Sequence, residues 1–320
     1  MSSPSLSKRL RTHTRIGSVA LAAVLAFTGL ACGSVFDGDE SAAWSFGPHM
    51  THRRSYPASA EIDGKIYVAA GMVGETGKPL DFLERFDPAR NQWTSLTPLP
   101  RSFSAAAGAS LDGRVWVIGG DNSPEADGRQ VYSYDTANDR WQEETSLPVT
   151  RMNLAAVAFD GKIYATGGLD PAHPTKTVFV YDPATKRWSR GTPMPVALHA
   201  HSASVYRGEI WVFGGRDRTV AQQRGVWIYN PAADRWRRGP ALPEPMDTLS
   251  TAVRGDLIFA IVDDHYFIYD GERWERGPTL TRPRHALAVY TIGDTLWTIG
   301  GCLYPQLQDS TVVEKIPAEA

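Results

Sequence analysis

"GEIWVFGGRDRTVAQQRGVWIYNPAADRW", residues 208–236, is the stretch from which the fold can be read. A run rich in β-branched and aromatic residues ends on Gly214-Gly215 and a polar loop follows. A second such run reaches Tyr229-Asn230, with Trp236 six residues further on. Short apolar runs bounded by turn residues, with no 3.6-residue period, predict strands. The plan recurs along the chain. The first run has siblings in "GKIYVAAG", "GRVWVIGG", "GKIYATGG", "GDLIFAIV" and "GDTLWTIGG", and the second in "ERFDPARNQW", "YSYDTANDRW", "FVYDPATKRW" and "FIYDGERW". Trp44, Trp93, Trp141, Trp188, Trp236 and Trp274 are separated by 49, 48, 47, 48 and 38 residues, so one unit of about 48 residues is repeated.

Each unit reads as four short antiparallel strands, a to d. Strand a is small and apolar, as in "NLAAVAF", strand b precedes the glycines, strand c carries the aromatic-acidic step, and strand d starts near the Trp. A single sheet of this kind cannot bury both faces. Stacking several radially can, which explains why strand b is apolar at nearly every position. Strand a, rich in Ala, Ser and Gly, is expected innermost, where the sheets crowd together.

The Gly pair, the Tyr-Asp step and the following Trp resemble the kelch motif at its expected period of roughly 50 residues. The resemblance covers residues 44–317 and implies an all-β, six-bladed kelch β-propeller. Strands a to c occur six times, ending in "TVVEKIP" with no Trp strand after it, while "WSFGPHMTHRR" supplies a Trp strand with nothing ahead of it. The N-terminal strand is therefore expected to complete the last blade and close the ring. The tryptophans are expected to pack between blades, at roughly 3–5 kcal/mol each on truncation to Ala, and the Gly pairs to supply positive φ or close approach.

The first residues have a different character. Lys8, Arg9, Arg11 and Arg15 precede the apolar stretch "IGSVALAAVLAFTGLA", which ends at Cys32. This reads as an export signal over 1–31, too short at about 16 apolar residues for a spanning helix. "TGLAC" resembles a bacterial lipobox, with Gly29 where that motif usually has Leu, and implies lipidation of Cys32; plain cleavage after Ala31 is the alternative. Residues 32–43 read as a flexible tether and 318–320 as a tail. Cys302 is then left without a partner, so no internal disulfide framework is expected. A net charge of −2 and the lack of a basic run argue against nucleic acid as partner.

In kelch-like propellers function usually sits on one face, at the loops leading into strand a and those between strands b and c. Carried over by position, the resemblance places Arg54, Arg101, Arg151, Asn153, His199, His201, Asp247, Arg284 and His285 in the lead-in loops. It places Asp121, Asn122, Asp170, Arg216, Asp217, Asp263 and Asp264 between strands b and c. Several arginines suggest an anionic or polyhydroxylated ligand, or else salt bridges that tie loops together. His199 and His201 are expected on one side of a strand. With His285 and Asp247 they could compose a metal site, but no second motif supports one, and neither a metal nor a cofactor is expected. Cys302 as a nucleophile has no partner motif either.

Three readings follow. The favoured one is an exported, membrane-anchored binding module that presents this face to a glycan, a small anionic ligand or a protein. The alternative is an exported carbohydrate-handling enzyme similar to sialic acid mutarotases, with His201, Asp247 and Arg151 as catalytic candidates. The third is a rigid assembly module. The unit at residues 255–274 stands apart: Ile261-Val262 replaces the Gly pair, and Val262 lies 8 residues from the acidic step where other units have 14 to 16. Asp263-Asp264 is expected to form a tight hairpin there, leaving a notch in the rim beside Asp247.

Overall fold

The computed structural model describes residues 43–318 apart from 75, 121–126 and 171. The expected leader, nearly all of the tether with Cys32, and most of the tail lie outside the described residues, as do Asp121 and Asn122. Among the described residues the chain forms six four-stranded antiparallel sheets and no helix. Blade one is built from Ala58–Ile62, Lys65–Ala69, Leu83–Asp87 and Gln92–Leu96. Blade two follows with Ala107–Leu111, Arg114–Ile118, Val131–Asp135 and Arg140–Glu143. Blade three has Ala155–Phe159, Lys162–Thr166, Val178–Asp182 and Arg187–Gly191. Blade four has Ser202–Tyr206, Glu209–Phe213, Val226–Asn230 and Arg235–Arg238. Blade five has Ser250–Arg254, Leu257–Val262, His265–Tyr269 and Trp274–Arg276. Blade six takes Ala288–Ile292, Thr295–Ile299 and Val313–Pro317 from the end of the chain and Ser45–Phe46 from its beginning. Ser45 stands opposite Lys315 and Phe46 opposite Glu314.

The packing follows from the composition of the strands. Strand b is buried from its second residue onward in all six blades, because both of its faces meet neighbouring sheets. The small strands a abut at the axis: a Cβ on Gly108 would lie 2.1 Å from the backbone oxygen of Ser59, so only glycine fits. Each repeated Trp donates its indole N–H to a carbonyl in the connection between two blades. Trp93 reaches Pro48, Trp141 Thr97, Trp188 Thr145, Trp236 Thr192, Trp274 Pro240 and Trp44 Pro278, at 2.7 to 3.3 Å. These indoles link blades through a directional bond as well as through packing.

At the end of strand b the Gly pair takes left-handed conformations, as in Gly214 (φ 58) and Gly215 (φ 89). In blade five strand b runs on through Ile261 to Val262, which pairs directly with His265. Asp263 and Asp264 form the whole connection, and Asp263 takes φ 49.

Candidate functional site

Six turns lead into the six innermost strands, and they share one design. Tyr56, Ala105, Asn153, Ala200, Thr248 and Ala286 each adopt a φ of 50–54°. For residues with a side chain this conformation costs about 1 kcal/mol or more apiece. The amide of each donates to the carbonyl of its counterpart one blade away: Ala105 to Tyr56, Asn153 to Ala105, Ala200 to Asn153, Thr248 to Ala200, Ala286 to Thr248 and Tyr56 to Ala286, at 2.8 to 3.3 Å. The six bonds run head to tail in a circle. These residues line one end of a central channel of about 510 Å³, whose wall is made of strand-a residues, largely Ala, Ser and Thr.

Because the turns are equivalent, residues on either side of the circle can be compared blade by blade. Immediately before it stand Ser55, Ser104, Met152, His199, Asp247 and His285, on blades one to six. Blades one to three contribute no titratable group at this position, whereas blades four to six contribute His, Asp and His. The same half of the mouth gathers further polar groups. Asp247 is 5% exposed and accepts from Arg216 Nε and, at 3.0 Å, from Gln222 Nε2. His285 Nδ1 lies 3.0 Å from Asp263 Oδ1. Burial holds the His199 imidazole below its usual range, with Arg216 adding to the effect, and its Nδ1 has no hydrogen-bond partner.

Tyr56 belongs to this cluster, although nothing in the repeat pattern marked it. It replaces the small residues of the equivalent turns and lines the channel end. Burial pushes its phenol above the ordinary value; the charges that act on it come from Cys302, Arg216, Asp263 and Asp309, on blades four to six. A sequence signal existed: a Tyr where other units carry Ala, Thr or Asn. Cys302 lies beneath, buried, with its thiol pushed up to about 11 by burial and by Asp309 and Asp263. A thiol so placed is protonated at neutral pH and is no nucleophile.

Several sequence expectations are corrected. Two residues before the circle, blades one, three and six carry Arg54, Arg151 and Arg284, and all three are sealed from solvent, not open to a ligand. Arg54 pairs with buried Glu84 and donates to the carbonyls of Val68, Ala70 and Phe82. Arg284 pairs with Glu314 at 2.8 Å and donates to Gly300 O, Val312 O and Thr298 Oγ1. Burial holds its guanidinium down at about 10. Blade three has Phe179 at the position of those glutamates, so Arg151 lies 5.4 Å above that ring and pairs with Asp170 at 3.0 Å. These arginines rivet lead-in loops to strand c. Glu84 and Glu314, acidic residues at the second position of strand c where blade three has Phe179, were the signal for it.

His201 is corrected as well. Ala200 (φ 52) interrupts the alternation between the two histidines, so they do not share a strand face. His201 follows the circle at the position of Leu154, Leu249 and Leu287 and is buried like them. Its Nε2 lies 2.9 Å from Thr166 Oγ1, and burial depresses its pKa to about 3. It is a neutral core residue and offers no acid–base group to the mouth. Arg101 is exposed on blade two, away from the polar cluster, and Asp264 is turned to His265, 3.1 Å away. Asn153 stays in the circle, and among the described residues no group of three or more His, Cys, Asp or Glu side chains is arranged to hold a metal ion.

The model of the KLHDC2/KLHL20/DRC7 Kelch-repeats domain matches residues 56–271, more than half of the chain. The chain belongs to the kelch-repeat family. Within that family, one relative is Kelch-like protein 35 of Homo sapiens, 39% identical over 61 residues, 19% of this chain and 10% of that protein. Another is N-acetylneuraminate epimerase of Haemophilus influenzae (strain PittEE), 33% identical over 89 residues, 26% of this chain and 24% of the other. The match thus spans a quarter or less of these relatives' lengths. Among solved structures, that of YjhT superposes with a TM-score of 0.73 at 15% identity, covering 84% of this kelch chain and 96% of that one. At this identity the superposition speaks for the fold.

Proposed function

We propose that this kelch propeller binds a small polyhydroxylated ligand, a sugar or sugar acid, at the mouth of its channel. The observation that carries this reading is the one-sidedness of the position just before the circle: its titratable groups, His199, Asp247 and His285, stand only on blades four to six, around the blade whose rim loop is missing. With Arg54, Arg151 and Arg284 sealed, the mouth is not a cationic cup for an anion. It offers acceptors at Asp247, Asp263 and His285 Nε2, and donors at Arg216 and Tyr56. A hydroxyl both donates and accepts, so a sugar satisfies such a mixture where a simple anion does not. Export and attachment to a membrane through Cys32 remain part of the proposal; growth with labelled fatty acid should label the chain and not its Cys32→Ser variant.

Calorimetric titration with a panel of neutral and acidic sugars tests the reading. Asp247→Asn and His285→Gln, each removing a charge-assisted bond, are expected to weaken binding about tenfold or more. A panel with no binder at millimolar concentration overturns it.

A second reading, acid–base isomerisation of a reducing sugar, is favoured by the His285–Asp263 pair. With Nδ1–H donated to Asp263, Nε2 is left to accept a proton. Tyr56, kept protonated by its raised pKa, supplies a donor. Anomer exchange needs this pairing: one group takes the proton of the anomeric hydroxyl as the ring C–O bond breaks, and another gives a proton to the ring oxygen. Similarity to two N-acetylneuraminate epimerases of Haemophilus influenzae supports it. Accelerated anomer exchange of N-acetylneuraminate, followed by NMR and lost in His285→Gln, is the expected result; a rate equal to the buffer's removes the reading.

A further inference from the structure

The rim of the propeller carries a second asymmetry. Among the described residues four large apolar side chains are exposed: Phe46 (50%), Val220 (63%), Tyr304 (50%) and Leu307 (62%). Three of the four sit on just two rim loops, those of blades four and six, which flank the blade that lacks one. The blade-six loop is anchored close to the gap. Tyr304 N donates to Pro283 O at 3.0 Å, and the next residue's carbonyl, Arg284 O, accepts from Asp263 N in the blade-five turn. On the other side, Arg216 ties the base of the blade-four loop to Asp247. The top edge of blade five between them is polar. His265 bonds Glu244 at 2.7 Å and Asp264 at 3.1 Å, and all three are partly exposed.

From these observations we infer that the notch over blade five is an open subsite that takes the further units of a chain-like glycan whose terminal unit occupies the mouth. This rests on the sugar-binding reading above and deepens it. The missing loop leaves the polar top edge of blade five uncovered between two flanking loops that carry exposed apolar side chains, and this gap is the trough we assign. Four strands at ~4.8 Å spacing give it a length of about 14 Å, room for about two or three linked sugar rings. Sugar rings present apolar faces and hydroxyl edges, matching Tyr304 at the side and the Glu244, Asp264 and His265 groups below. A polypeptide partner fits less well. Tyr304 and Leu307 share the blade-six loop and Val220 stands alone on the blade-four loop, three side chains that are too few for the several hundred Å² of apolar patch that protein interfaces use. A loop over blade five, as on the other blades, would close the trough; a free monosaccharide has no need of it.

The test compares each free sugar with its own oligomer on the full-length protein: N-acetylneuraminate with its α-linked trimer, and N-acetylglucosamine with its β-linked tetramer. For the pair whose monomer binds, the oligomer is expected to bind about tenfold more tightly. Tyr304→Ala with Leu307→Ser should erase that gain while leaving monomer affinity unchanged. Both side chains are exposed, and an unchanged melting temperature checks that the variant is folded. If the monomer binds and loses affinity in Asp247→Asn, but the oligomer binds no more tightly, the notch proposal fails and the mouth reading stands. A gain that survives the double substitution also overturns the proposal. Binding of an oligolysine peptide that is lost in the double variant, without any oligosaccharide gain, would assign the notch to a polypeptide and overturn it too. If no sugar binds in any form, both readings fall together.

Discussion

His201 shows how much one side chain decides. It fills a leucine position, and its imidazole is neutral because burial opposes the charge. In the unfolded chain it titrates near 6.5, whereas in the fold it does so near 3. Between those values the unfolded state holds the extra proton. The stability contribution is therefore complete above about pH 6.5 and is lost as pH falls toward 3, by up to about 1.4 kcal/mol per pH unit. His201→Leu should flatten this dependence: urea midpoints at pH 5 and pH 7 are expected to lie closer together than in the parent protein. An unchanged slope would remove His201 as the cause. His199, depressed in the same direction by burial and Arg216, accounts for part of the slope that remains. Sequence spacing puts both histidines at the mouth; His199 stands just before the circle, and His201 is in the core. The failure on His201 has a cause, since a single left-handed residue, Ala200, reverses which way the next side chain points. For the buried arginines the sequence leaves ligand contact and loop-tying salt bridges both open, for a related reason. Position on a loop was visible, but the glutamates and carbonyls that meet them come from strands 14 to 30 residues away.

At the scale of the element, the blade-five hairpin was fully legible. Its shortened spacing and branched Ile261-Val262 pair foretold a strand running into a two-residue turn, and Val262 faces His265 across it. What the hairpin does for the mouth depends on neighbours that no local pattern encodes, among them Tyr56 from blade one. Inserting the blade-four loop, residues 217–223, between Asp263 and Asp264 keeps the His285–Asp263 pair and rebuilds the missing wall. Lengthening a surface loop costs little, about 0.6 kcal/mol per doubling, so the melting temperature should stay within a few degrees while sugar affinity drops. Binding that persists through the insertion would show that the ligand does not approach over blade five. The tryptophan strands were also legible as elements, but their energetics need revision. Trp141 is only partly buried, so its bond to Thr97 O and the face against Tyr134 carry its contribution.

For the whole molecule, the repeated Trp residues differ in what they hold. Trp44 is 8% exposed, stacks edge-on against Tyr266 and donates to Pro278 O, so it fastens the N-terminal strand of blade six to blade five. Among the described residues two ladder pairs and the Gly47 N–H donated to Val313 O join that strand to its sheet. Trp44→Ala should therefore cost about 3–5 kcal/mol and Trp141→Ala clearly less, read as the difference in denaturant midpoints; equal losses would mean the N-terminal strand bears no special load. The blade plan and the return of the N-terminal strand could be counted from the chain. The circle of six backbone bonds could not, because its members share a conformation and not a residue type.

That circle acts as a hoop. Widening the aperture in any direction would stretch several of its bonds at once, so the opening keeps a fixed gauge. On the proposed sugar-binding reading, a ligand is then admitted by whether it fits at the threshold, and little freedom is left to be frozen when it arrives. On the same reading, discrimination between ligands falls to the rim loops, whose length differs from blade to blade here without disturbing the bore.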